Sequence, residues 1–392
     1  MKSLGLILVL HFVVSSVLAE CTVAVISGKA TVDGRPLLWK NRDSSFRNND
    51  LYHFNGDLYD FVGVINSGDT TQVWMGVNTA GFCIMNSESM DQPGDSIDTE
   101  GFFMKKALSR CAQLKDFEQL LETTALNGRG TKANFGVIDA FGGAAFYETG
   151  NYTYSKMDAN DPVQAPHGFL VRANFSMTGQ GRRAYGSWRY HRALELLQQI
   201  VHKDRLSHTS LIRELSRDLV MFEGDPYPLP FAGSVNEAPQ GFIYTQNTIN
   251  RHRTVSCAVF HGVKPGEEVA LTTMWTILGE PVAGVAFPVW AKSGQVPDET
   301  LDDGNEGCPL NQRIQTIEKH LYSESKWSHY LDSNRLVKGK FSFTQRRDEV
   351  ESDVFSTTHT RMVEWRLHGA TIKEFRDFQN MICNQVFRKS FY

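Results

Sequence analysis

Residues 21–27, Cys-Thr-Val-Ala-Val-Ile-Ser, are mostly β-branched or apolar, and the run predicts a strand. Thr31-Val-Asp-Gly-Arg35 follows with an Asp33-Gly34 turn signal. Leu37-Leu-Trp-Lys-Asn-Arg-Asp43 reads as the returning strand. A hairpin centred between residues 30 and 34 carries the low forties back beside residue 21. The pattern alone therefore places Lys40, Arg42 and Asp43 near Cys21.

Further strands are predicted at 61–65, 71–77 and 81–85. From 100 to 121, Phe103, Ala107, Leu108, Cys111, Leu114, Phe117, Leu120 and Leu121 recur at three- and four-residue steps, the period of a helix. A hairpin at 135–138 and 144–148 and strands at 152–154 and 168–173 come next. Helices are predicted at 185–201 and 210–221, then strands at 241–244 and 254–260 with 269–276 returning beside them. Segment 293–309 is a polar, acidic loop, and 310–322 and 372–391 are helical in pattern. Strands, helix, strands, helices, strands is an order that suits helices covering antiparallel sheets better than a βαβα alternation. No internal repeat or low-complexity tract interrupts it. We expect one domain over 21–392, with 310–392 a mainly helical extension packed on the main body.

The first twenty residues are of another kind. Lys2 is followed by an apolar run over 4–14, broken only by His11, and then by Val17-Leu18-Ala19. These are the parts of a secretory signal, so we expect a secreted or periplasmic protein with a signal peptide over 1–19. The run is too short to span a bilayer, and no later stretch is long and uncharged enough to do so. Stable membrane insertion is not expected. The favoured cut follows Ala19 and leaves Glu20 in front of Cys21. A lipidated cysteine needs a small residue in that place, which Glu20 is not.

At 41% hydrophobic and 21% charged, the 392-residue chain can bury a large core. Its net charge of −4 gives no basic field for nucleic acid. The six cysteines, Cys21, Cys83, Cys111, Cys257, Cys308 and Cys383, include no CxxC pair and do not form a dense disulfide scaffold. Cys83 and Cys257 lie in apolar surroundings and read as small core residues. The twelve histidines lack the His-Glu-x-x-His spacing, so no metal is expected, and no cofactor motif is present. Gly179-Gln-Gly-Arg-Arg183 lacks the Gly-Lys-[Ser/Thr] ending of a phosphate loop. Arg182, Arg183, Arg189 and Arg192 read as a solvated basic helix face.

If the chain is cut before Cys21, one residue carries both a thiol and a free α-amine. An α-amine titrates near ~7.7–8.0 and a thiol near ~8.5, so the amine is a base of suitable strength for its own thiol. A neighbouring cation, Lys40 or Arg42, favours the thiolate. The competing reading is a cysteine that merely begins a strand near a cleavage site.

Cys21-Thr22, the Gly34 turn and Lys40-Asn41-Arg42-Asp43 resemble the start of the N-terminal-nucleophile amidohydrolases that include penicillin V acylase and choloylglycine hydrolase. They resemble still more the acyltransferase branch typified by isopenicillin-N acyltransferase. Gly76-Val-Asn-Thr-Ala-Gly-Phe-Cys-Ile-Met-Asn86, Asn134-Phe-Gly-Val-Ile-Asp139 with Tyr147-Glu148, and Arg172-Ala-Asn-Phe175 are similar to later segments of the same families, in the same order. The resemblance runs from 21 to about 290. It implies a four-layer αββα sandwich of two antiparallel sheets between helices. It also implies Cys21 as nucleophile, its amine as base, and Asp43 near that amine. Asn174 matches the asparagine that holds the substrate carbonyl, and Asn86 is the favoured second oxyanion donor, with Asn78 its competitor. The bile-salt branch has arginine three residues before the aspartate, where this chain has Lys40. Strand alternation sends Lys40 and Arg42 to one face and Asp43 to the other, unless a bulge intervenes. The families also use a downstream arginine, for which Arg253 is preferred over Arg251.

The expectation is a secreted cysteine amidohydrolase acting on a linear amide of a small-molecule substrate through a thioester, without a cofactor. Two alternatives stay open: an acyltransferase that passes the acyl group to an amine, and a secreted binding or scaffold protein with an inert Cys21. The subunit count is open, and a homo-oligomer is compatible with the sequence.

Overall fold

The computed structural model describes residues 20–389 apart from 90, 95–98, 181–184, 222–228, 230, 235–237, 303, 305–306, 324–327 and 338–341. The signal-like segment 1–19 lies outside the described residues, as do Arg182 and Arg183.

The chain enters as β1 (Cys21–Ile26) and returns as β2 (Leu37–Asp43), in antiparallel register from Cys21 opposite Arg42 to Ile26 opposite Leu37. It then builds a second sheet whose seven strands lie side by side in chain order. These are β3 (Asn49–Phe54), β4 (Phe61–Asn66), β5 (Met75–Asn78), β6 (Cys83–Glu88), β7 (Ala133–Ile138), β8 (Ala144–Thr149) and β9 (Tyr154–Asp158). The chain comes back to the first sheet as β10 (Phe169–Arg172), which pairs with the free side of β1. After a helical excursion come β11 (Phe242–Tyr244), then β12 (Thr254–His261), β13 (Thr273–Ile277) and β14 (Phe287–Val289). The first sheet is ordered β10-β1-β2-β12-β13-β14. Strand β15 (Tyr330–Asp332) pairs with β11 as a separate ribbon.

Every residue of β1 and β2 is buried, because both faces of the first sheet are covered. Val23, Val25 and Leu38 meet Val62, Val64, Met75 and Met85 of the second sheet in one apolar cluster. The sheets approach closely at Gly136, where an added Cβ would come within 2.9 Å of Val25 and closer still to Met85. Helices α1 (Glu100–Arg110) and α2 (Leu114–Ala125) cover the outer face of the second sheet through a separate cluster. Within it Phe117 packs edge-on to Phe135 and Tyr147. On the outer face of the first sheet lie α3 (Ser187–His202) and the single turn α4 (His208–Ser210), with Ala193, Leu197 and Ile200 of α3 joining the same large apolar cluster as β1 and β2. Helices α5 (Pro309–Leu321), α6 (Ser333–Val337), α7 (Phe343–His368) and α8 (Ile372–Lys389) form the C-terminal region. Trp365 of α7 and Phe375 and Phe378 of α8 close around Trp290, just beyond β14. The architecture is α+β: two antiparallel sheets between helices, with a helical C-terminal region.

The sequence pattern and the structure part company at several elements. The periodicity over 100–121 is two helices, because Gln113 and Asp116 cap the start of α2 reciprocally and break the run after Arg110. The segment 210–221 contributes a π turn, Leu211–Leu215, and no long helix. The strand expected to return over 269–276 pairs as β13 with β12 but not with β11, which pairs with β15. Strands β3 and β14 and helix α7 were not anticipated individually.

Candidate active site

Antiparallel pairing puts directly opposed side chains on one face of a sheet. Cys21 opposes Arg42 and Val23 opposes Lys40, so the thiol, the lysine and the arginine share the face toward the second sheet. There Lys40 Nζ donates to Asn86 Oδ1 at 2.7 Å and to the Trp74 carbonyl at 3.0 Å. Arg42 is consumed by other partners. Its Nη1 donates to Asn49 Oδ1 at 2.6 Å, its Nη2 to Asn66 Oδ1 at 2.8 Å, and its guanidinium lies over the Trp74 ring.

Burial pushes the Cys21 thiol up, Lys40 is the strongest pull downward, and Arg42 contributes less. The net shift is upward, so the thiol needs a base to attack. Burial brings Lys40 down to about 8 and Arg42 down to about 10.

Asp43 points to the other face, as alternation requires. The β-bulge between Thr254 and Ser256 lies on β12, opposite it. Asp43 Oδ1 accepts from Thr254 Oγ1 at 2.7 Å. Its Oδ2 lies 3.3 Å from Arg251 Nη1 and 3.8 Å from Arg189 Nη1. Burial raises the Asp43 carboxyl, with the two arginines opposing that shift.

Asn174 follows β10 and ties the two ends of the site together. Its Oδ1 accepts from the backbone N–H of Cys21 at 2.9 Å and from Arg189 Nη2 at 3.0 Å. Its Nδ2 donates to the Glu88 carbonyl at 3.1 Å. Two donors on one side and a carbonyl on the other fix which way the amide faces. With Glu20 still attached, the accepting end of Asn174 is therefore the one beside Cys21.

Two expectations change here. Arg189 does not lie on a solvated helix face: it is buried under the first sheet. Its Nη1 donates to the Cys21 carbonyl at 2.7 Å and to Thr22 Oγ1 at 2.8 Å. It runs back over Gly186, whose φ is 77° and where a Cβ would meet Arg189 Nη2 at 2.4 Å. The second concerns the downstream arginine. Arg251, not the preferred Arg253, reaches Asp43, because the Thr254 N–H bonds back to the Arg251 carbonyl and turns the chain there. Arg253 is half-buried, and its backbone carbonyl accepts from Ser44 N–H.

Asn78, the competitor of Asn86, is spent in a turn. Its Nδ2 donates to the Leu108 and Cys111 carbonyls, and its Oδ1 accepts from the Ala80 and Phe82 N–H groups. Asn86 is different. Lys40 holds its oxygen, and its Nδ2 makes no hydrogen bond among the described residues.

Glu20 completes the cluster. Its carboxylate bonds Arg251 Nη1 and lies 3.3 Å from Arg189 Nη2. Burial opposes its ionisation, but Arg251 and Arg189 outweigh burial and lower its pKa. All six cysteines are buried and unpaired. Among the described residues no group of histidine, cysteine and carboxylate side chains could hold a metal ion, and no helix is long and apolar enough to cross a membrane.

No family model matches the chain, and no curated protein matches it. Solved structures do. The Caenorhabditis elegans ortholog of N-acylethanolamine-hydrolyzing acid amidase is similar at 14% identity and a TM-score of 0.41, over 61% of this chain and 92% of that one. Conjugated bile acid hydrolase from Clostridium perfringens is similar at 12% identity and a TM-score of 0.43, over 69% and 92%. Penicillin V acylase from Agrobacterium tumefaciens is similar at 12% identity and a TM-score of 0.38, over 69% and 86%.

Proposed function

We propose that the chain is a secreted cysteine amidohydrolase that opens a linear amide through a thioester on Cys21, once residue 20 has been removed. The observation that carries this reading is the Cys21 backbone nitrogen. It is held 2.9 Å from Asn174 Oδ1, on a residue whose thiol shares a sheet face with Lys40. Removing Glu20 turns that nitrogen into an amine already positioned beside its own thiol.

The amine takes the thiol proton as the Sγ–C bond forms and the carbonyl π pair moves onto oxygen. Asn86 Nδ2, pinned through its oxygen by Lys40, donates to that oxyanion. The amine then gives its proton to the leaving nitrogen as the C–N bond breaks. In the second half, water bonds the thioester carbon and yields a proton to the amine. The C–S bond breaks and the thiolate takes the proton back.

Asp43, held by Thr254 and Arg251, follows directly on Arg42, the residue opposite Cys21. A second cation close to Asp43, Arg189, disfavours protonation of the amine, which keeps it a base. Neither a metal nor a cofactor is needed in this scheme.

The test is a screen of linear amides with the mature protein, its N-terminus verified by intact mass, beside Cys21→Ala. Turnover that is present in the parent and absent from Cys21→Ala supports the reading. Equal turnover in both proteins overturns it.

A further inference from the structure

Glu20 does more than precede the nucleophile. It places a carboxylate between two buried guanidiniums whose side chains are 2% and 1% exposed, Arg189 and Arg251. With Asp43 these groups make a box of two carboxylates and two arginines, balanced in charge. Removing residue 20 subtracts one negative charge and adds an amine. Asp43 is then the one carboxylate that the box keeps for two buried arginines, and buried charge left uncompensated is costly. Arg251 also has spare capacity. Its Nε and Nη2 are buried and lack a hydrogen-bond partner among the described residues even with Glu20 in place. What Glu20 leaves behind is thus a built site for an anion.

Its position says which half of a substrate fills it. Glu20 supplies the acyl carbon of the bond that precedes Cys21. A substrate carbonyl must come to the same sulfur, so the substrate's acyl chain takes the course of the Glu20 chain. From the Glu20 carbonyl carbon, Cα, Cβ and Cγ lead to the carboxylate.

We propose that the mature site takes amides whose acyl half ends in a carboxylate, held by Arg189 and Arg251 at the spacing of a glutaryl group. This rests on the reading of Cys21 as the acyl-accepting nucleophile. The covalent steps are those given above. A glutaryl amide and water yield glutarate and the free amine, with no oxidant or other co-reactant.

The test uses the mature protein and two p-nitroanilides, the glutaryl anilide and its analogue with the terminal carboxylate converted to a carboxamide. The expected result is a kcat/KM at least about tenfold higher for the acid, since charge-assisted bonds to Arg are roughly twice as strong as neutral ones. Arg251→Gln and Arg189→Gln should each bring the ratio toward one, chiefly by raising KM for the acid. The parental ratio does not depend on either variant folding. Cys21-dependent hydrolysis of both anilides at equal rates overturns the anion site and leaves the amidohydrolase standing. A second reading covers a protein that cleaves neither anilide: protection of Cys21 from iodoacetamide by glutarate, against glutaramate as control. Protection by glutarate alone, lost in Arg251→Gln, supports the site even if the amidohydrolase reading fails. Absence of protection in a protein that cleaves neither anilide overturns the site.

Discussion

The backbone N–H of Cys21 donates to Asn174 Oδ1 across 153 residues of chain, at 2.9 Å. The same oxygen takes a bond from Arg189, so Asn174 is the point where the nucleophile, β10 and α3 meet. If this bond persists after maturation, Asn174→Ala loosens the amine as well as any hold on a substrate carbonyl. We expect turnover to fall about 10²-fold, the lower range for a general base put out of place. Iodoacetamide alkylation of Cys21 should slow with it. Normal alkylation beside lost turnover would instead mean that Asn174 acts on the oxyanion alone.

Residue 20 should be absent from the mature protein, and its loss should need the Cys21 thiol. Cys21→Ala is then expected to keep Glu20, as read by N-terminal sequencing. Loss of Glu20 from this variant at the parental rate would point to a separate aminopeptidase. Cys21→Ser should fold but lose most turnover, because a hydroxyl ionises far less readily than a thiol.

Lys40 sets a pH window. Burial brings it to about 8 from an ordinary 10.5. Between those values the unfolded chain keeps a proton that the folded chain has shed, so this group makes stability rise with pH there. Lys40→Met removes that rise. Urea denaturation at pH 7.5 and 9.5 should show the parent gaining about 2 kcal/mol relative to Lys40→Met, at 1.36 kcal/mol per pKa unit. The same variant should move the pH midpoint of Cys21 alkylation upward, since Lys40 is the main charge drawing the thiol down.

Away from the site, Glu280 and Glu318 are buried together, and the Glu280 N–H donates to Glu318 Oε1 at 2.7 Å. Burial, with the neighbouring carboxylate, raises Glu280 well above the carboxylate range. A raised carboxyl contributes stability that is complete below its unfolded pKa and is lost as pH rises through the folded one. Glu280→Gln keeps an oxygen for Tyr322 and Asn250, both of which now donate to Glu280 Oε1. Its melting temperature should exceed the parent's by about 2 °C at pH 7.5, with the difference shrinking toward pH 5. A gain that stays constant with pH would show that Glu280 is not the titrating group.

The hairpin that makes the site was legible because its turn and both strands are local: Asp33-Gly34 set the register that brings Cys21 opposite Arg42. Asn78 was readable as a turn for the same reason. Arg189 is hidden in the sequence because its chain neighbours Arg182, Arg183 and Arg192 suggest a wet face. The signal lay in its spacing, since Arg189 leads the buried stripe Ala193, Leu197 and Ile200 of α3. The choice between Arg251 and Arg253 was beyond alternation, because the turn before Thr254 resets which side each residue faces. Helix α7 hid for a different reason: Val350, Val354, Thr358, Met362 and Trp365 do recur at helical steps, but charged residues fill the intervals.

Cys21 is also where the sheet register begins. Pairing with β2 starts at Cys21 opposite Arg42, and pairing with β10 starts at Val23 opposite Arg172. Chain ends usually fray, yet this one would be held by β2 from Cys21 and by the edge strand β10 from Val23, within a six-stranded sheet. Cutting the chain before Cys21 breaks no rung of that ladder. Precursor and product would share one scaffold, and maturation would exchange a side chain for an amine without asking the protein to refold.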